Sequence, residues 1–262
     1  MKESFPTLIK LSFKDLQEAL PRSQNVFLFC VILLFCNLLF STTTANNSLG
    51  LFSLPFSILL VIGSLAEIQI KFATLEGKNL TLNDCRTYFL NYLNSFSRCL
   101  NYCCCLVLIF APFLLVAWFY FLGGKSKEQI LQMNQSPDSF RLFIIENIYI
   151  FLLALIIIGF AGLFLMLIFA LEQQRVQGVV KRFFQLILKK PELFLCYLLF
   201  NCPLYLLPTV LIVYYQLPSY LVSLILFVPS FLSNFFMVSI FRRVAIPDRE
   251  SLLQATPDKI NE

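Results

Sequence analysis

The chain contains no histidine, and only 13% of its 262 residues are charged. The first absence removes the side chain that most often serves as general base or metal ligand near neutral pH. It also excludes an HExxH metalloprotease helix. The second removes half the surface charge of a soluble domain, in which about 25% of residues are charged. A water-soluble globule needs charge over most of its exterior, whereas an exterior that faces lipid does not. The chain has no Walker loop, no GxGxxG and no GxSxG, so nucleotide cradling and serine-hydrolase chemistry are excluded as well. No enzymatic activity, cofactor or metal is expected.

What is present is apolar. Hydrophobic residues make up 58% of the chain and the mean hydropathy is +0.78. Six stretches, near 26–45, 51–71, 101–122, 142–171, 193–214 and 218–241, are long enough for a hydrocarbon core that takes about 20 helical residues to cross. The first is marginal, because Ser41-Thr42-Thr43-Thr44 extends it only weakly. The fourth is long, which predicts strong tilt or an interfacial first turn. Glu3, Asp15 and Glu18 interrupt the basic residues ahead of the first stretch, unlike the short basic start of a cleavable signal, so it is read as a retained span.

Lysine and arginine bias sets the orientation. Of the 20 such residues, all but Lys125, Lys127 and Arg141 fall in the N-terminal segment, after the second and fourth spans, or in the tail. That phase predicts both termini in the cytoplasm. The net charge of +5 therefore marks topology rather than a nucleic-acid surface.

The cytoplasmic segments carry helical periodicity of their own. In 81–100, Leu82, Cys85, Phe89, Tyr92, Leu93, Phe96 and Leu100 recur at three- and four-residue steps, and Thr81 with Asp84 forms a helix start. In 176–190, Val176, Val179, Val180, Phe183 and Ile187 oppose Gln177, Lys181, Gln185 and Lys189. Residues 7–20 repeat the theme with Leu8, Ile9, Leu16 and Leu20. Basic amphipathic helices of this kind lie in the membrane interface. The expected fold is all-α: six spans plus three interfacial helices in a threefold helix–span–span pattern with units near 7–71, 81–171 and 176–241. Residues 1–245 form one membrane domain and 246–262 a polar cytoplasmic tail.

The run Leu75-Glu76-Gly77-Lys78-Asn79-Leu80-Thr81-Leu82 resembles the start of the second interfacial helix in bacterial six-span membrane proteins. These include the YciC-like family and the membrane domain that precedes some glycerophosphodiester phosphodiesterases. Gly178-Val179-Val180-Lys181-Arg182-Phe183-Phe184 with Lys189-Lys190-Pro191 resembles the third such helix, and Phe241-Arg242-Arg243 the basic end of the last span. The sequence departs from that pattern in having little glycine and much phenylalanine. The resemblance implies a fold and a bacterial inner-membrane address. The 262 residues hold no phosphodiesterase domain, so that activity is not implied.

Two carboxylates fall in or beside apolar runs, Glu67 and Glu146. Ionisable groups at membrane depth are costly and raise a ligand or proton role, while nearby Lys71 and Arg141 offer ion pairing instead. Arg86, Arg98, Lys181, Lys189 and Lys190 are candidates for lipid headgroups. Pro55, Pro112, Pro203, Pro208 and Pro229 kink spans, as in many transporters and many plain bundles. Gly159 and Gly162 are read as permitting close helix contact. The nine cysteines read as reduced packing residues; Cys103-Cys104-Cys105 point about 100° apart on a helix and cannot converge on one ion.

The expected partners are membrane lipids, above all anionic inner-leaflet headgroups, with a protein partner or a second copy beside them. The favoured function is a non-enzymatic structural, accessory or envelope-homeostasis role. The alternative is a transporter or permease-like subunit for a small or lipidic substrate, and a third reading is an intramembrane enzyme using Glu67 or Glu146. A polar cavity at mid-membrane separates the transporter from the other two. An enzyme needs two converging acid/base groups.

Overall fold

The computed structural model describes residues 4–44, 50–95, 97, 100–111, 145, 147–172 and 176–245. No strand occurs among the described residues, and the elements in chain order are all helical. They are α1 (Phe5–Ala19), α2 (Gln24–Thr44), α3 (Gly50–Leu75), α4 (Leu82–Asn94), α5 (Leu100–Ala111), α6 (Ile148–Glu172), α7 (Val176–Lys189), α8 (Pro191–Val213) and α9 (Ser219–Val244). Four helices are long and apolar enough to cross a bilayer: Ser57–Leu75, Ile148–Leu171, Pro191–Val213 and Ser219–Val244. The protein is an integral membrane protein. The first and third expected spans are not among these four. The helix α2 turns 85° from α1 through a 3-10 turn at Leu20–Arg22, and α5 is described only over Leu100–Ala111.

The helix α3 occupies the centre and packs against α2, α4, α6 and α9. Its Ile62, Leu65, Ala66, Ile70 and Ala73 are buried together with a run on α9 from Phe235 to Phe241. In lipid no hydrophobic force drives helices together, so close packing and polar links must hold them. Both are present. Phenyl rings interlock between elements, with Phe160 of α6 edge-on to Phe194 of α8 at 4.9 Å and Phe200 of α8 against Phe236 of α9 at 4.4 Å. A Cβ added at Gly63 would stand 2.7 Å from Leu33, so this glycine sets the approach of α2 to α3. A Cβ at Gly162 would meet nothing within 4 Å. Of the two glycines expected to permit close contact, Gly162 makes none, and the tight approach lies at Gly63, which no small-xxx-small spacing announces.

The prolines act as their chemistry requires. Pro203 has no amide to give the carbonyl of Leu199, and the chain absorbs the defect in a π turn over Tyr197–Asn201, a usual device at such breaks. Pro208 and Pro229 lie inside α8 and α9.

One end of the bundle is tied by buried polar links from the amphipathic helices. α4 starts in a capping box: the Thr81 hydroxyl accepts from the Asp84 amide at 3.2 Å, and the Asp84 carboxylate accepts from the Thr81 amide at 2.8 Å. That bond from the Thr81 amide, with a second that the Thr81 hydroxyl donates at 2.7 Å, holds the Asp84 carboxyl below its usual range. The helix ends at Asn94, short of the expected 100, with Ser95 out of helical conformation. Arg182 of α7 is buried and donates to the carbonyl of Ala245 at 2.7 Å. Arg242 donates to Leu75 at 2.8 Å, and Gln69 to Ala170 at 2.7 Å. Asp15 of α1 takes two hydrogen bonds from Arg243, at 2.8 and 2.6 Å, and one from Ser239 at 2.7 Å.

Burial by itself would raise the Asp15 carboxyl. The hydrogen bonds from Arg243 and Ser239 and the positive charges of Arg243 and Arg242 more than offset that, so it lies below the ordinary value. A carboxyl whose folded pKa is depressed contributes stability fully present above its unfolded pKa, and this is lost as pH falls through the folded value. Asp15→Asn should therefore lower stability by about 1.5–3 kcal/mol at neutral pH, as expected for hydrogen bonds to a charged group. Thermal unfolding in detergent should show the gap to wild type closing as pH drops from about 5 to about 2. A gap unchanged over that range would contradict the assignment.

Candidate functional site

The sequence places Glu67 and Lys71 four residues apart on an apolar helix, so both project from one face of α3. Lys71 is fully buried, with 0% of its side chain exposed, while Glu67 keeps 21%. The ammonium of Lys71 donates to Glu67 Oε1 at 2.5 Å and to the carbonyl of Phe231 at 3.3 Å. Its Nζ stands 4.5 Å from the ring centroid of Phe231 and 5.6 Å from that of Phe235. Each contact is one a buried ammonium needs: a counter-charge, a carbonyl dipole and electron-rich ring faces.

Above this pair α2, α3 and α9 part to leave a cleft of about 250 Å³. Glu67 lines it with Ser64, Asn37, Ser230 and Asn234, and Leu33, Phe227 and Phe231 form apolar walls. The lining falls near the middle of each helix. Glu67 is eight residues from the end of α3, a rise of about 12 Å at 1.5 Å per residue, so the cleft lies about midway along the helices, with Asn37 exposed and Ser64, Glu67, Ser230 and Asn234 half-buried. Ser64 donates to Leu60 at 3.0 Å. Asn37 and Asn234 make no hydrogen bond among the described residues. An amide in that state at membrane depth carries a penalty that water or a ligand would remove. A carboxylate, two amides and two hydroxyls facing one space offer hydrogen-bonding groups to a polar molecule; they do not supply two free acid/base groups, because Lys71 is sealed behind Glu67.

The other candidates lie elsewhere. Arg86, Lys181 and Lys189 are exposed on α4 and α7, and Lys190 is half-buried at the start of α8. Glu146 and Arg98 fall outside the described residues, as does Cys99. Cys30 and Cys85 are buried free thiols, and burial pushes the Cys85 thiol up. Among the described residues no group of histidine, cysteine or carboxylate side chains is placed to hold a metal ion. The ion pairing of Glu67 with Lys71 is found as the sequence suggests, whereas reading lysines and arginines as topology markers missed Arg182, Arg242 and Arg243 as internal links. The four-residue spacing of Glu67 and Lys71 is the one signal that points to their pairing; nothing in the spacing of Asn37 or Asn234 points to the cleft.

Comparison with protein-family models, with curated proteins and with solved structures gives no match.

Breaking a buried pair leaves the survivor uncompensated, at a cost of about 3–5 kcal/mol, whereas replacing both partners by apolar or neutral groups is often near neutral. Lys71→Met should accordingly lose that much in thermal unfolding in detergent, and Lys71→Met with Glu67→Gln should recover most of it. A double variant as unstable as the single would show that Lys71 matters for shape and not for charge.

Proposed function

We propose that this chain is a permease-like membrane protein that binds a small polar ligand in the cleft between α2, α3 and α9. The observation that carries this reading is the set of polar side chains around one mid-helix space, two of them amides without a partner among the described residues. Asn37 is exposed and Asn234 half-buried, and polar side chains gathered at mid-span, where lipid offers them no partner, favour a ligand or water over a purely structural bundle.

The finer topology belongs to the same proposal: six spans, with α2 as the first and α5 beginning the third, and both termini in the cytoplasm of a bacterial inner membrane. Links that join α1 to the end of α9, α7 to Ala245 and α9 to the end of α3 support a common side for all the basic segments. The likeness of 75–82 and 178–191 to YciC-like proteins stands with this reading.

The helices α4 and α7 support contact with lipid headgroups. Each buries one face against the bundle, Cys85 and Tyr92 on α4, and Val179, Phe183 and Leu186 on α7. Each leaves a second face of large apolar side chains around one cation exposed. On α4 that face is Leu82, Arg86, Leu90 and Leu93, and on α7 it is Lys181, Phe184 and Leu188. Apolar side chains in the acyl boundary with lysine or arginine reaching to phosphate is the arrangement of an interfacial helix.

Water access tests the binding reading. In a background with the nine cysteines replaced by serine or alanine, Asn37→Cys should react with a small membrane-impermeant thiol reagent in reconstituted protein. Leu65→Cys, buried on the same bundle, should not. An inert Asn37→Cys would remove the cleft as a ligand site. For topology, reporter fusions at Asn47 and Asn134 should score outside and at Asn83 and Gln185 inside; a cytoplasmic score at Asn134 would refute six spans.

A further inference from the structure

We infer that the ligand of this cleft is a small organic cation, an alkyl- or quaternary ammonium, held by the second carboxylate oxygen of Glu67 against the rings of Phe227 and Phe231. The inference rests on the binding reading above and narrows it to a chemical class. The charge that meets the cleft is negative. Glu67 is partly exposed and lines the space, whereas the Lys71 ammonium is fully buried and is not part of the lining. An anion entering would meet a carboxylate first. A cation meets it with two phenyl walls behind, the combination that recognises ammonium groups.

The structure already holds one ammonium in such surroundings. Lys71 sits between the carboxylate, a backbone carbonyl and two phenyl faces, and Phe231 belongs both to that nest and to the cleft wall. Glu67 therefore stands between two cation positions, one filled by the chain's own side chain and one facing the cleft, where the Cys30 thiol is its hydrogen-bond neighbour and a ligand cation competes with it. Asn37 and Asn234 supply carbonyl oxygens for N–H or O–H groups on the ligand. The volume of about 250 Å³ suits a molecule of a few heavy atoms and is too small for a lipid headgroup with its chains, since pockets for drug-sized ligands start near 300 Å³.

Lys71 sets the strength. With it in place Glu67 is already neutralised, so affinity is moderate. Without it the full carboxylate charge turns to the open side. Purified protein in nanodiscs, titrated calorimetrically with choline, with its uncharged carbon isostere 3,3-dimethylbutanol and with butyrate, separates the cases. Choline should bind and the isostere at least about tenfold more weakly, a difference that the charge and ring contacts together supply, with butyrate undetected. Lys71→Met should tighten choline by about tenfold. The double change Glu67→Gln with Lys71→Met keeps the site uncharged and foldable; it should lose choline while leaving any isostere binding as it was. Equal binding of choline and isostere, both abolished by the cleft-filling Ser64→Leu, would overturn the cation assignment and leave the polar-ligand reading standing. Tighter binding of butyrate would overturn the cation assignment as well. No probe binding in wild type or in Lys71→Met, together with an inert Asn37→Cys, would overturn both.

Discussion

The ammonium of Lys71, with none of its side chain exposed, governs the arrangement around it. Moving an isolated ammonium into a medium of low dielectric constant costs many kilocalories, so every neighbour of Lys71 must repay part of that. Glu67 does so one helical turn away, and the carbonyl of Phe231 and the rings of Phe231 and Phe235 do so from α9. The pair therefore fixes more than a contact within α3. It holds α9 against α3 at one register, with the carbonyl of Phe231 and the rings of Phe231 and Phe235 over the ammonium. The cleft follows from the same constraint: Glu67 must reach down to Lys71, and the space it would otherwise fill stays open and polar.

Basic residues in this chain divide into two populations by geometry, though their positions along the sequence look alike. Arg182, Arg242 and Arg243 close the bundle onto backbone carbonyls and onto Asp15. Their forked guanidinium groups suit this task, since each can satisfy planar acceptors in a fixed direction. The exposed Lys181 and Lys189 are compact charges on flexible stems, suited to the mobile phosphates of a membrane surface. The choice of arginine inside and lysine outside on α7 follows that difference.

The helical class, the long apolar elements and the start of α4 at Thr81 were legible in the sequence. Their causes are local: run length, absence of charge, and the Thr81–Asp84 spacing. The amphipathic helices were legible as periodicity, but only one face of each. Leu82 and Leu93 belong to the periodic stripe of α4 yet are exposed, and Leu90 of α4 and Phe184 and Leu188 of α7 are exposed apolar side chains outside it, so each helix carries more apolar surface than the face it buries. The cleft was not legible. Asn37, Ser64, Ser230 and Asn234 are spread over three helices, and each alone is an ordinary polar residue in a membrane span. Only the approach of α2 to α3, set by Gly63 against Leu33, and the register fixed by Lys71 bring them around one space. Gly162 misled for the converse reason, because it faces no neighbour.

The π turn in α8 has a mechanical meaning. A wider turn holds an extra residue, so the two halves of the span are offset by about 100° from the phase of a continuous α-helix. Phe194 before the turn and Tyr197 at its start meet Phe160 of α6, and Phe200 near its end meets Phe236 of α9 and Phe13 of α1. One rod thus meshes with two neighbours on different bearings, as an offset key meets two locks. With Arg182 and Ala245 linking α7 to the end of α9, and Phe164 of α6 against Phe241 of α9, the offset in α8 works as a wedge, filling the angle between neighbours that are already tied to each other.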